Sequence, residues 1–183
     1  MINLNQNKKL FFISDLHLFH ENIIKFCNRP FKDAREMTET IIRNWNETIT
    51  DEDQVVFLGD FIIGYKDPKG ISEYIYECLN GEKYFIRGNH DSDEKISDKI
   101  LWLPNDCKIR WVNYRDCSIA LSHYPFEKKD LKPLSNALYV HGHTHSKNLI
   151  TDAHNRIINV SCEAINYKPI SFDEILNELS KDL

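Results

Sequence analysis

At 183 residues the chain is long enough for one good hydrophobic core and short for two, so a single domain spanning residues 1–183 is expected. A composition of 42% hydrophobic and 28% charged residues is ordinary for a soluble protein, and a net charge of -5 argues against holding nucleic acid by broad electrostatic attraction, although a local basic groove would not show in the total. The five cysteines, Cys27, Cys78, Cys107, Cys117 and Cys162, are odd in number and form no C-x-x-C pair. That speaks against a zinc ribbon or a secreted disulfide framework and fits a reduced, cytoplasmic compartment. The first nine residues lack the apolar core of a signal peptide, and no apolar run approaches the ~20 residues of a membrane helix.

Leu10 to Ile13 is an apolar run that ends in Ser14-Asp15, the pattern of a buried strand whose last residues reach the surface. Helical sequence follows. Asp33 with Glu36 has the form of a capping box, and Met37, Ile41, Ile42, Trp45 and Ile49 recur at helical spacing. Val55 to Leu58 is a second strand, closing on Gly59-Asp60. Ile71, Tyr74, Ile75, Cys78 and Leu79 predict a second amphipathic helix, with Asn80-Gly81 as its stop. Tyr84 to Ile86 is a third strand, and the alternation of strands with helices implies parallel pairing through crossovers. Beyond residue 105 the texture becomes richer in β structure. Lys108 to Val112 and Ser118 to Leu121 flank Asn113-Tyr114-Arg115-Asp116, which predicts a hairpin with a four- to five-residue turn. Leu138 to Val140 and Arg156 to Val160 are further strands, and Ser171 with Glu174 caps a closing helix through Ile175, Leu176 and Leu179. The fold class expected is α/β.

Five fragments stand out because each follows one of these apolar runs: Asp15-Leu16-His17, Gly59-Asp60, Gly88-Asn89-His90-Asp91, Ser122-His123-Tyr124 and Gly142-His143-Thr144-His145. Strand ends are where open α/β sheets gather their ligands. Singly, each fragment reads as a turn or as chance material. Together, Asp15, His17, Asp60, Asn89, His123, His143 and His145 offer seven oxygen and nitrogen donors of the kind that suits Mn²⁺ first, and also Fe, Ni²⁺, Zn²⁺ or Co²⁺. Seven donors are enough for two metals that share one carboxylate, and a metal pair clamps the oxygens of a phosphoryl group during in-line displacement. Two divalent ions bring four positive charges, of which Asp15, Asp60 and a bridging hydroxide remove three. The remainder would attract a phosphate anion.

With these fragments the chain resembles the calcineurin-like metallophosphoesterases, in particular a small single-domain bacterial or phage type, whose pattern is D-x-H, G-D, G-N-H-[DE], a lone His and G-H-x-H. All five elements occur in order between Asp15 and His145. The resemblance implies two mixed β-sheets packed face to face with helices outside, a four-layer sandwich with the metal site at the C-terminal ends of strands. It also implies that Asp15, His17, Asp60 and His145 hold one metal, that Asp60, Asn89, His123 and His143 hold the other, and that Asp60 bridges. His90 would stay off the metals and protonate the leaving oxygen or stabilise the transition state, with Asp91 orienting it. One departure matters: the protein-phosphatase branch continues Gly-Asp with a further Asp-Arg that grips phosphate, whereas this chain has Phe61-Ile62-Ile63. Protein phosphatase activity is therefore disfavoured.

Among the neighbours, His20 and Asn22 are candidates to contact substrate phosphate, with a capping or packing role as the alternative. Arg29 is a candidate phosphate clamp because its planar fork can bind two oxygens, the alternative being a salt-bridging role. His141 reads as a core residue or one that stands behind a metal ligand, His154 as an exposed loop residue, and Glu127 to Lys132 as a solvated loop first, with a rim of the active site as the alternative. The expected partner is a phosphate ester, with a nucleotide or nucleic acid in view, and no membrane. The absence of a sizeable insertion to cap the site favours a phosphodiester over a monoester. The rivals are a nuclease, which needs a basic, aromatic-lined track beside the metals, and a binding scaffold that has lost turnover.

Overall fold

In the computed structural model, which describes residues 2–94, 96–100, 103 and 108–181, the elements in chain order begin with β1 (Ile2–Asn3) and β2 (Leu10–Ile13). Cys107 lies outside the described residues. Two helices follow β2 where the sequence suggested continuous helical texture: α1 (Glu21–Phe26) and α2 (Ala34–Thr48). They are parted by Asn28, whose φ of 48° is left-handed, and by Pro30, which cannot continue a helix. Asp33 caps α2 by accepting from Glu36 N at 2.8 Å, but the Glu36 carboxylate turns to Lys32 N, so the expected reciprocal box is only half formed. Met37, Ile41 and Trp45 make the buried stripe of α2, and the Trp45 indole donates to Asn80 O at 3.0 Å.

Next come β3 (Gln54–Phe57), α3 (Pro68–Cys78) and β4 (Glu82–Phe85). As the alternation predicts, β2, β3 and β4 pair in parallel. Every residue of β2 and β3 is buried, as in a strand covered on both faces. The hairpin is tighter than expected. Strands β5 (Arg110–Tyr114) and β6 (Cys117–Ser122) pair antiparallel with Tyr114 opposite Cys117, leaving a turn of Arg115 and Asp116 only. Arg115 adopts φ 50° there, a conformation that its sequence does not advertise. The chain then adds β7 (Ala137–His141), β8 (Ile150–Asp152), β9 (Ile157–Asn159), β10 (Ile170–Ser171) and α4 (Phe172–Leu179), the last with the full Ser171/Glu174 capping box. Strands β1, β8 and β10 were not legible in the sequence, because each is only two or three residues long and none lies in an apolar run like the one that marks β9.

The result is two mixed sheets, one ordered β10-β2-β3-β4 and the other β1-β5-β6-β7-β9-β8. In the six-stranded sheet the side chains alternate. Val112, Tyr114, Ile119, Leu121, Leu138, Val140 and Ile158 join β2, β3 and the helices in one core, while Ala120, Ala137, Tyr139 and Ile157 face the other way under Phe126 and Leu131. Where the sheets meet, Ser14 donates its N–H to Val160 O at 2.9 Å and accepts from Cys162 N at 3.1 Å. This stitch just beyond β2 and β9 draws the strand ends of both sheets to one place. Among the described residues no helix is long and apolar enough to cross a membrane.

Candidate metal centre

All five fragments lie in turns that leave the strand ends. The turn after β2 is laid along the turn after β3 by hydrogen bonds from Asp15 N to Gly59 O (2.9 Å) and His17 N to Asp60 O (3.0 Å). The turn after β7 is tied on by Gly142 N to His123 O (3.0 Å) and His143 N to Asp15 Oδ2 (2.8 Å). Asp15, His17, Asp60, His143 and His145 all have positive φ, between 48° and 72°. Asp and His tolerate this region better than most residues, yet each such residue costs on the order of 1 kcal/mol, a strain that collects at functional sites. The glycines make the close approach possible. A Cβ on Gly88 would strike the Asp60 backbone and carboxylate, and one on Gly142 would strike Ser14 and lie 2.6 Å from Asp15 Oδ2.

Five of the seven expected ligands form two overlapping groups. Asp15, His17 and His145 come together, and so do Asp15, Asp60 and His123. The buried Asp60 Oδ2 lies 3.4 Å from His17 Nε2 and 3.7 Å from His123 Nε2, between two imidazoles where a shared carboxylate would sit. His123 donates through Nδ1 to Leu58 O at 2.7 Å, which fixes the tautomer that leaves Nε2 a bare lone pair. Asn89 Oδ1 approaches that same nitrogen at 2.9 Å and His143 Nδ1 at 3.2 Å. Three potential donors to a cation thus converge on one point. The His17 ring nitrogens and Asp15 Oδ1 are buried and have no hydrogen-bond partner among the described residues, an expensive arrangement that a cation would resolve. Burial raises the Asp15 carboxyl above its usual range and pushes His17 far below its own, so His17 is neutral, the form that ligates metal. The residues therefore suit divalent metal.

His90 sits at the mouth with its side chain 47% exposed and Nε2 4.0 Å from Asp60 Oδ2, while its N–H donates to Asp60 Oδ1 at 2.9 Å. Asp91 does not orient it. The Asp91 carboxylate is buried and accepts from the backbone N–H of Asp60 (2.7 Å), Phe61 (2.9 Å) and Gly88 (2.8 Å), so it pins two ligand turns together. Asp91→Ala is expected to orphan these three donors, costing about 1–3 kcal/mol of stability, and to weaken metal binding about 10–100-fold. Urea denaturation and calorimetric titration with Mn²⁺ check both effects, and unchanged affinity would show that the turns hold without it.

Arg29 is not at the mouth either. Its side chain is fully sequestered, donating Nε to Glu163 Oε1 at 2.8 Å, Nη1 to Leu16 O at 2.9 Å and Nη2 to Asp15 O at 2.8 Å. A guanidinium spent on these partners cannot grip substrate phosphate, so the expected clamp is instead a strut behind the Asp15 turn. Glu163, which the sequence reading passed over, accepts from His145 Nδ1 at 3.1 Å. Its only sequence signal was an acid three residues past a strand end. His20 is half-buried beside His17, ring centroids 5.7 Å apart, and Asn22 is exposed on α1. Phe61 and Ile62, in place of a phosphate-gripping Asp-Arg, are wholly buried. His141 is buried against Gly142 O, and His154 is exposed.

Known proteins are similar to this chain. The chain is 40% identical over 178 residues to an uncharacterised protein of Methanocaldococcus jannaschii, covering 95% of this chain and 93% of that one. It is 26% identical over 189 residues to the Gene 66 protein of Mycobacterium phage L5, covering 90% of each. It superposes on the crystal structure of a protein of unknown function from Aquifex aeolicus with a TM-score of 0.71 at 28% identity, covering 93% of this chain and 99% of that one. Residues 8–178 match the model of the calcineurin-like phosphoesterases, and the protein belongs to that family, which implies metal-dependent hydrolysis of phosphoesters.

Proposed function

We propose that the protein hydrolyses phosphodiesters with two divalent ions, one held by Asp15, His17, Asp60 and His145 and the other by Asp60, Asn89, His123 and His143. The observation that carries this reading is the convergence of Asn89 Oδ1, His123 Nε2 and His143 Nδ1 beside a buried carboxylate whose other neighbour is the unpartnered His17. Two ions there would supply positive charge at the phosphoryl oxygens and acidify the attacking water. The nitrogen and oxygen donor set favours Mn²⁺, with Fe, Ni²⁺, Zn²⁺ and Co²⁺ as alternatives.

The chain's own residues supply the rest. His90, exposed and next to Asp60, is placed to give a proton to the leaving oxygen. His20 precedes α1 without capping it and is only half-buried beside His17, which supports a contact with substrate phosphate; Asn22 lies exposed at the start of the same helix. Exposed Asn89 and His90 leave room for the second ester group of a diester. Unpaired Cys27, Cys78, Cys117 and Cys162 support a reduced, cytoplasmic setting. Nucleic acid is a second reading of the substrate, favoured by Lys108 Nζ standing 5.9 Å from the centroid of the Tyr124 ring, which itself packs on His123 and His143.

The test is a panel of bis-p-nitrophenyl phosphate, p-nitrophenyl phosphate, cyclic nucleotides and short oligonucleotides with Mn²⁺, Ni²⁺, Zn²⁺ and Mg²⁺. The diester is expected to have the higher kcat/KM of the two nitrophenyl esters. A preference for the monoester under matched metal and pH overturns the diesterase assignment and leaves the metal centre standing. Full metal loading with no turnover of any ester would favour the binding scaffold.

A further inference from the structure

We propose that the buried pair of Arg29 and Glu163 makes the two metal subsites unequal, with Glu163 as the positioning residue of the subsite formed by Asp15, His17 and His145; the inference rests on the two-ion reading above. Neither side chain of the pair is exposed. Glu163 Oε1 accepts at once from Arg29 Nε at 2.8 Å and from His145 Nδ1 at 3.1 Å, while the rest of the guanidinium holds the carbonyls of Asp15 and Leu16. One ion pair thus supports two ligands of the same subsite, the backbone of Asp15 and the ring of His145. Both ligands sit in left-handed backbone that must be held against relaxation.

With its Nδ1 proton given to a carboxylate, His145 presents Nε2, which lies 3.9 Å from Asp15 Oδ1. His123 in the other subsite is held in the same tautomer, but by the neutral carbonyl of Leu58. A carboxylate behind an imidazole raises its basicity as a ligand more than a carbonyl does, and in a sealed site its charge is poorly screened. The donors add to the difference, since the ligand set proposed for one subsite includes the carboxylate of Asp15 where that of the other has uncharged Asn89. The subsite backed by Glu163 therefore binds its ion more tightly and fills first. Cys27 also gathers with His145 and Glu163, but the Arg29 guanidinium on Glu163 Oε1 already supplies positive charge there, so no third ion is expected.

Calorimetric titration of the metal-free protein with Mn²⁺ tests this. Wild type is expected to give two resolved events, and Glu163→Gln to weaken one about 10–100-fold while leaving the other unchanged. The double variant Arg29→Met with Glu163→Met removes both charges, so it keeps its fold without an uncompensated buried ion and reproduces the selective loss. Two unaltered affinities in either variant, equal weakening of both events, or a single event in a wild type that takes up two ions would overturn the inference. A double variant that fails to fold, with Glu163→Gln weakening both events alike, assigns the pair to the fold alone and also overturns it. A wild type that binds fewer than two ions would instead count against the two-ion reading.

Discussion

Asp60→Ala is expected to lose both metal ions and to lower kcat/KM by on the order of 10³-fold or more. The reasoning begins with position. Asp60 Oδ2 stands between His17 and His123, which belong to different subsites, so removing the carboxylate takes a donor from each. Charge then decides the size of the effect. Two divalent ions bring four positive charges into a pocket where Asp15 and Asp60 supply the anionic donors, and without Asp60 only Asp15 remains. Loss of one hydrogen-bond donor to a transition state already costs about 10²–10³-fold in kcat, and losing the several kcal/mol of charge stabilisation that metal ions provide costs more. Because Asp60 Oδ1 also anchors the His90 N–H, Asp60→Asn is the cleaner companion: it keeps an oxygen for that bond while removing the charge. Elemental analysis after metal loading and dialysis measures the ions, and a variant that still carries two per chain would remove Asp60 from the shared position.

His90→Ala is expected to separate chemistry from metal binding. The ring is exposed, lies edge-on to His17 with centroids 5.5 Å apart and belongs to neither cluster of converging donors. Its hydrogen bond to Asp60 is made by its backbone N–H, which alanine keeps. The variant should therefore bind the wild-type complement of metal while kcat falls by roughly 10²–10⁴, the range for loss of a positioned general acid. The fall should be smaller for an ester whose leaving group needs no proton, so bis-p-nitrophenyl phosphate and an alkyl diester are compared side by side. A variant that loses its metal would make His90 a ligand, and equal losses on the two esters would assign it to charge stabilisation rather than proton transfer.

Sequence alone singled out seven of the side chains that meet at the centre. Asp, His and Asn at the ends of apolar runs need no knowledge of packing to be recognised, because a strand's end is written into its own hydrophobic pattern and the donor chemistry into its residues. The helix stripe of Met37, Ile41 and Trp45 and the capping box at Ser171 were legible for the same local reason. What Arg29 and Asp91 do was decided only by the tertiary structure. The partner of Arg29 lies 134 residues away, on the segment stitched to Ser14 where the two sheets meet, and the three N–H groups that Asp91 accepts belong to turns 30, 31 and 3 residues distant, brought together by the parallel pairing of β3 with β4. A guanidinium in a loop between two helices has the same local sequence whether it faces phosphate or a buried carboxylate. Burial is a property of what folds over a residue, and here the segment carrying Glu163 folds over Arg29, turning an expected substrate clamp into the support of a metal ligand.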